Sequence, residues 1–155
     1  MKKKVMFISS EGGHLNELEQ LDFEKYDYSV VTEKTKSTAS LEDKYKDKVS
    51  YLLYGTRKTP ILYFFILIIN FFKSLNIFLK IKPEVIVTTG THTAVAMCII
   101  GKMFRKKVIW IETFANRKSK TLAGRLVYPI ADVFVVQWEE MKELYPKAKC
   151  WGSIF

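Results

Sequence analysis

Short apolar, β-branched runs at residues 5–8, 28–31, 49–53, 84–88, 108–111, 133–136 and 148–151 alternate along this chain with stretches of helical spacing. Unbroken apolar character over four or five residues marks strands buried on both faces, and parallel strands need long crossover connections, usually helices. The alternation therefore predicts an α/β fold of the Rossmann-like kind, a doubly wound parallel sheet covered on both faces. The chain of 155 residues is long enough for one such domain, spanning 1–155, and too short for two. A ligand that needs a second domain must find it on another chain. Residues 34–48 are highly charged and weakly patterned, and are expected to form an exposed loop and helix.

Lysine and arginine number 25 against 16 acids, a net charge of +9, so the surface should attract anions such as diphosphates, anionic lipid or nucleic acid. The basic residues are dispersed and no aromatic–basic recognition motif accompanies them, which sets nucleic acid aside as a partner. Cys98 lies in an apolar stretch and Cys150 near the end, without metal-spaced neighbours; both are expected to be reduced packing residues of a cytosolic protein. The start Met1-Lys2-Lys3-Lys4 has the charge of a secretory leader, but the apolar run after it stops at Ser9, short of the ~7–15 residues a leader needs. No secretion is expected.

Two glycine turns follow two of the expected strands. Ser9-Ser10-Glu11-Gly12-Gly13-His14 joins the first run to a helical segment beginning Leu15-Asn16-Glu17-Leu18. Glycine lets backbone amides approach a ligand, and helix N-terminal N–H groups favour negative charge, so Ser10, Gly12 and Gly13 are candidates for phosphate or acceptor binding. A side chain at Gly13 is expected to intrude on that ligand. The fourth run ends in Thr88-Thr89-Gly90-Thr91-His92-Thr93, which adds Thr89, Gly90, Thr91 and His92. In the common doubly wound order the first and fourth strands lie side by side, and a crevice opens at their carboxyl ends. The two loops are then expected to face each other. His14, near a helix N-terminus, suits a base or a hydrogen-bonding orienter. Beyond the fifth run, Glu112 is a second candidate base, and Arg117 or Lys118, cations at the same edge, is a candidate to hold phosphate.

Residues 60–82 stand apart. Pro60 suits a helix start, 61–69 is apolar without a break, and beyond it Asn70, Lys73, Ser74, Asn76 and Lys80 gather on one side with Phe71, Phe72, Leu75, Phe78 and Leu79 on the other. The uninterrupted run falls short of the ~18 residues of a spanning helix. Two readings remain: a buried core helix, or a helix lying in the membrane surface through Phe64, Phe65, Phe71 and Phe72, with Lys73, Lys80 and Lys82 at anionic headgroups. Arg57 and Lys58, just before it, favour the membrane.

Taken together, Ser10-Glu11-Gly12-Gly13-His14 with Glu17, Thr88-Thr89-Gly90, Trp110-Ile111-Glu112-Thr113-Phe114-Ala115, Gly124-Arg125-Leu126-Val127-Tyr128-Pro129-Ile130-Ala131-Asp132 and Val135-Val136-Gln137-Trp138 resemble one family. It is the asparagine-linked-glycosylation family (member fourteen) of membrane-recruiting glycosyltransferase subunits, in its bacterial capsular and exopolysaccharide branch. The resemblance implies the N-terminal, acceptor-side half of a split GT-B enzyme, whose donor-binding half is a separate chain, acting on a lipid-linked saccharide acceptor at the cytoplasmic face of the membrane. By similarity to single-chain relatives that glycosylate lipid-linked peptidoglycan precursors, the Gly12-Gly13-His14 loop would face the cleft. Eukaryotic members begin with a membrane-spanning segment that has no counterpart here, so attachment is expected to fall to residues 61–79 or to a partner. Family members often place arginine directly after Phe-Ala, where this chain has Asn116 before Arg117. No Asp-x-Asp motif is present, so neither a metal nor another cofactor is expected. The alternative function is a non-catalytic membrane scaffold that activates a partner transferase.

Overall fold

Side chains alternate across a strand, so one apolar run can build two cores. The structure, a computed structural model, describes residues 1–56 and 58–154; Arg57, read above as a membrane-facing cation, lies outside the described residues. In strand β1 (Lys4–Ser9), Val5 and Phe7 enter one hydrophobic cluster and Met6 and Ile8 the other. The remaining strands are β2 (Asp27–Lys34), β3 (Val49–Leu53), β4 (Val85–Gly90), β5 (Lys107–Ile111), β6 (Val133–Val136) and β7 (Lys149–Cys150). They form one sheet in the order β3-β2-β1-β4-β5-β6-β7, with parallel pairing throughout. This is the doubly wound sheet that the alternation of runs predicts.

Helix α1 (Gly13–Leu18) covers one face through Leu15 and Leu18. On that face α2 (Leu41–Tyr45) buries Leu41 and Tyr45, so the charged segment 34–48 is solvated outside and anchored inside. Helices α3 (Pro60–Ile81), α4 (His92–Met103), α5 (Leu122–Val127) and α6 (Met141–Leu144) supply the other face, where Phe78, Met97, Cys98, Val127 and Met141 pack on Ile86, Val108, Trp110 and Phe134. Cys98 and Cys150 are free thiols, and burial pushes the Cys98 thiol up to about 12.

Helix α3 reverses part of the expected sidedness. Asn70 and Ser74, assigned by spacing to the polar face, are buried with Phe78, whereas Phe72 and Leu79 are exposed. The reason is the edge of the sheet. Strand β3 has a free backbone edge, and Asn70 fills it: Leu53 N–H donates to Asn70 Oδ1 and Asn70 Nδ2 donates to the Leu53 carbonyl, each at 2.8 Å. Phe71 is half-buried against the inner cluster and does not join the outward residues. The outward face carries Ile61, Leu62, Phe64, Phe65, Ile68, Ile69 and Phe72, and Lys73 is half-buried. Over its most apolar window the helix has a mean hydropathy of 1.9, yet only 17% of that window is buried. The reading of α3 as an ordinary core helix does not fit so much apolar exposure. An apolar groove between Tyr63, Leu67, Val95, Leu122 and Leu126 continues this surface onto α5.

Asn70→Leu keeps the volume and removes both bonds to Leu53, so we expect a loss of about 1–3 kcal/mol in unfolding free energy. The check is the denaturant midpoint, and an unchanged midpoint would show that Asn70 does not hold β3 to α3.

Candidate functional site

The two glycine turns meet because β1 and β4 are neighbours in the sheet. Ser10 N–H donates to the Gly90 carbonyl at 3.0 Å. A reciprocal pair then joins the loops: His14 Nδ1 lies 2.9 Å from the Thr89 carbonyl, and the Thr89 hydroxyl donates to the His14 carbonyl at 2.6 Å. A carbonyl only accepts, so His14 Nδ1 carries the proton and Nε2 holds the lone pair. The imidazole remains partly open to solvent. Gly12, at φ 76, takes the left-handed conformation that lets the chain turn from strand into α1. Gly13 faces open space. A Cβ there would meet nothing within 4 Å, and Gly12, one residue earlier, is where the backbone needs glycine.

The second turn is held from beneath by a carboxylate that sequence reading passed over. Glu33, near the carboxyl end of β2, is 2% exposed and accepts from the Thr93 hydroxyl at 2.7 Å and from Glu11 N–H at 3.4 Å. Its Oε1 also stands 3.4 Å from His92 Nε2. His92 Nδ1 is 3.0 Å from the Thr91 hydroxyl, which in turn lies 3.3 Å from the Ser10 hydroxyl. The signal for Glu33 was an acid ending an otherwise buried strand. A cleft of about 430 Å³ opens here, lined by Gly55, Thr56, Thr91, His92, Thr121, Leu122 and Ala123.

Glu112 follows β5, but its side chain is 2% exposed and does not line that cleft. Trp110 Nε1 donates to Glu112 Oε2 at 2.9 Å, and α5 passes over the carboxylate at Gly124, where a Cβ would stand 2.4 Å from Oε2 and 2.6 Å from the Tyr145 hydroxyl. Glycine is therefore what allows this approach. Among the described groups Glu112 Oε1 and the Tyr145 hydroxyl have no hydrogen-bond partner. Burial raises the Glu112 pKa, opposed by hydrogen bonds from Thr121 and Trp110 and by the charge of His14. The Trp110 ring, 3.5 Å from where a Cβ on Gly90 would stand, connects Glu112 to the second glycine turn.

Glu17 has a structural task. It is buried on α1, and its Oε1 accepts from the Thr113 hydroxyl at 2.8 Å and from Phe114 N–H at 3.0 Å, tying α1 to the loop after β5. Gln137 donates to the Glu112 carbonyl at 3.1 Å, and Trp138 Nε1 donates to the Phe114 carbonyl at 2.7 Å. Arg117 is occupied elsewhere: it pairs with Glu140 at 2.8 Å and stacks 4.0 Å above the Trp138 ring. Its guanidinium thus secures the β6 side of the loop, and the candidate phosphate contact at this position has a competing partner on the surface.

A carboxyl whose folded-state pKa is raised supports the fold when protonated, and that support is lost as pH rises through the raised value. Glu112→Gln keeps the shape without the charge. We expect the variant to melt higher than the wild type at pH 7 to 8, with the gap closing as pH falls toward the usual carboxylate value of 4.5. Equal melting temperatures across that range would show that Glu112 is not strained by burial.

The sequence profile of the family described as "Oligosaccharide biosynthesis protein Alg14 like" matches residues 5–154. The "UDP-N-acetylglucosamine transferase subunit ALG14" of Eremothecium gossypii is 35% identical over 78 residues, covering 46% of this chain and 35% of that one. The protein of that name from Homo sapiens is 31% identical over 81 residues, covering 48% of this chain and 38% of that one. The chain thus spans well under half the length of these curated relatives. Among solved structures, Acinetobacter baumannii MurG superposes with a TM-score of 0.68 at 16% identity, over 86% of this chain and 41% of that one. The S. aureus MnaA–UDP structure reaches 0.72 at 16% identity, over 99% and 46%. Identity that low speaks for the fold alone, but the profile covers nearly every residue: the chain belongs to the Alg14-like family of oligosaccharide biosynthesis proteins.

Proposed function

We propose that this chain is the acceptor-side subunit of a two-component glycosyltransferase working at the cytoplasmic face of a membrane. It corresponds to the N-terminal half of a split GT-B enzyme, with a separate donor-binding subunit holding a UDP-linked sugar. The names of the relatives make UDP-N-acetylglucosamine the first donor to test. The acceptor is a lipid-linked saccharide, and the polymer is a capsular or exopolysaccharide, as the bacterial-branch resemblance implies.

The observation that carries this reading is His14. Its Nδ1–H is consumed by the Thr89 carbonyl, so Nε2 offers a lone pair beside two glycine turns at a sheet switch point. In the transfer an acceptor hydroxyl oxygen bonds to the anomeric carbon, its proton passes to His14 Nε2, and the sugar–diphosphate C–O bond breaks with its electron pair leaving on the nucleotide. Glu112, the second candidate base, is buried beneath α5 and held by Trp110 Nε1, outside the cleft. On the acceptor side Thr91 and His92 line the cleft, and Ser10, Gly12, Gly13, Thr89 and Gly90 build the two turns beside it. The outward apolar face of α3, joined by Leu122 and Leu126, supports attachment in the plane of the membrane, because the opposite face of the same helix is fastened to the sheet through Asn70.

The alternative, a scaffold that anchors a partner without contributing to chemistry, differs in one outcome. We expect the chain alone to transfer no sugar, and His14→Ala to leave partner binding and melting temperature intact while lowering kcat of the reconstituted pair about 10²-fold or more. An unchanged kcat would favour the scaffold.

Attachment is tested separately. Replacing Phe64, Phe65 and Phe72 with serine, and sparing the half-buried Phe71, is expected to give a folded protein that no longer floats with anionic vesicles. Continued flotation would place the membrane contact elsewhere.

A further inference from the structure

In nucleotide-binding Rossmann domains, an acid about 20 residues beyond the glycine loop, at the end of the second strand, takes the ribose hydroxyls. Glu33 holds that position here, but it is 2% exposed and turned inward onto Thr93, Glu11 N–H and His92. We propose that Glu33 is a positioning residue that sets the tautomer of His92, and through it makes the Thr91 hydroxyl oxygen a hydrogen-bond acceptor for a saccharide hydroxyl. The assignment of the saccharide rests on the acceptor-side reading above; the tautomer does not.

The argument is electrostatic. His92 Nε2 faces a buried carboxylate oxygen at 3.4 Å. A lone pair on that nitrogen would oppose the carboxylate charge, so the proton of the neutral ring sits on Nε2. Nδ1 then carries the lone pair, and at 3.0 Å its partner Thr91 Oγ1 must donate. The single Thr91 proton is thereby spent on His92. The Ser10 hydroxyl, 3.3 Å away, then donates to Thr91 Oγ1, and what Thr91 presents to the cleft it lines is its remaining lone pair, suited to a donor such as a sugar O–H and unsuited to a phosphate oxygen. The Tyr63 ring, in edge contact with the His92 ring at a 5.4 Å centroid separation, holds the imidazole from the α3 side.

The two histidines thus take opposite tautomers. His14 is protonated on Nδ1 against a carbonyl and keeps Nε2 basic; His92 is protonated on Nε2 against a carboxylate and spends Nδ1 on Thr91. Division of labour follows, with His14 facing the reacting hydroxyl and His92 orienting Thr91.

The chain has two histidines, so long-range ¹⁵N–¹H spectra of the histidine-labelled full chain, assigned with His14→Ala, read both rings directly. At pH 8, where unperturbed imidazoles are neutral, we expect the Nε2–H pattern for His92 and the Nδ1–H pattern for His14. Glu33→Gln should turn His92 into a mixture of tautomers. An Nδ1–H or freely mixed His92 in the wild type overturns the proposal, whether or not Glu33→Gln folds. The saccharide arm uses the reconstituted pair: Thr91→Val should raise the acceptor KM about tenfold, with kcat within about a factor of two. An unmoved KM overturns the assignment of a sugar hydroxyl to Thr91. A wild-type pair that transfers nothing counts against the glycosyltransferase reading and against that assignment, while the spectra decide the Glu33 relay independently.

Discussion

The site depends on the adjacency of β1 and β4, expressed in the two bonds exchanged between His14 and Thr89. The two strands are distant in sequence, and the chain between them runs through β2, β3 and α3. Once the pairing is made, one loop's backbone fixes the other loop's side chain. The Thr89 carbonyl sets the His14 tautomer, Ser10 N–H holds the Gly90 carbonyl, and Gly90 takes a positive φ of 101 that favours glycine, beside the His14 and Trp110 rings. Trp110 then carries the constraint down to Glu112. A single pairing thus orders three of the strand ends that form the crevice.

Buried acids divide the work of the carboxyl edge. Glu17 satisfies the loop after β5, Glu33 underlies the turn after β4, and Glu112 sits beneath α5 with one oxygen unpartnered among the described groups. Each is withdrawn from water, so each is held by N–H and O–H donors of the protein rather than by surface cations. The net charge of +9 consequently lies outside the site's interior. Lysines on the surface give a positive field that acts at long range, and the buried acids with their N–H and O–H donors define the local geometry.

Helix α3 joins the crevice to the apolar surface. Its inner face is narrow and partly polar, because the edge strand it covers presents backbone groups that only a side chain such as Asn70 can satisfy. That arrangement releases the large apolar residues to the outside. Tyr63, in the first turns of the same helix, touches His92 across the groove, so the helix that carries the outward phenylalanines also packs on a residue of the cleft. In the proposed reading, the membrane contact and the acceptor site fall on these neighbouring elements.

The residues alone determined the sheet, its strands and the meeting of the two glycine turns, since strand burial and helical crossovers are written as local patterns and the doubly wound order follows from chain handedness. The family motifs were equally legible, and the structure shows their physical content in Glu17, Gln137 and Trp138, which fasten the loop after β5. Three features were decided only by tertiary structure. The inward turn of Asn70 required a backbone edge that β3 supplies from elsewhere in the chain. The backbone's need for glycine at Gly12 depended on where the chain takes a positive φ. The roles of Glu33, Glu112 and Arg117 depended on burial and on partners 23 to 60 residues away or packed across α5, as in the Arg117–Glu140 and Glu33–Thr93 pairs. A side chain's chemistry is set by what surrounds it, and for these residues those surroundings come from strands and helices that local spacing does not connect.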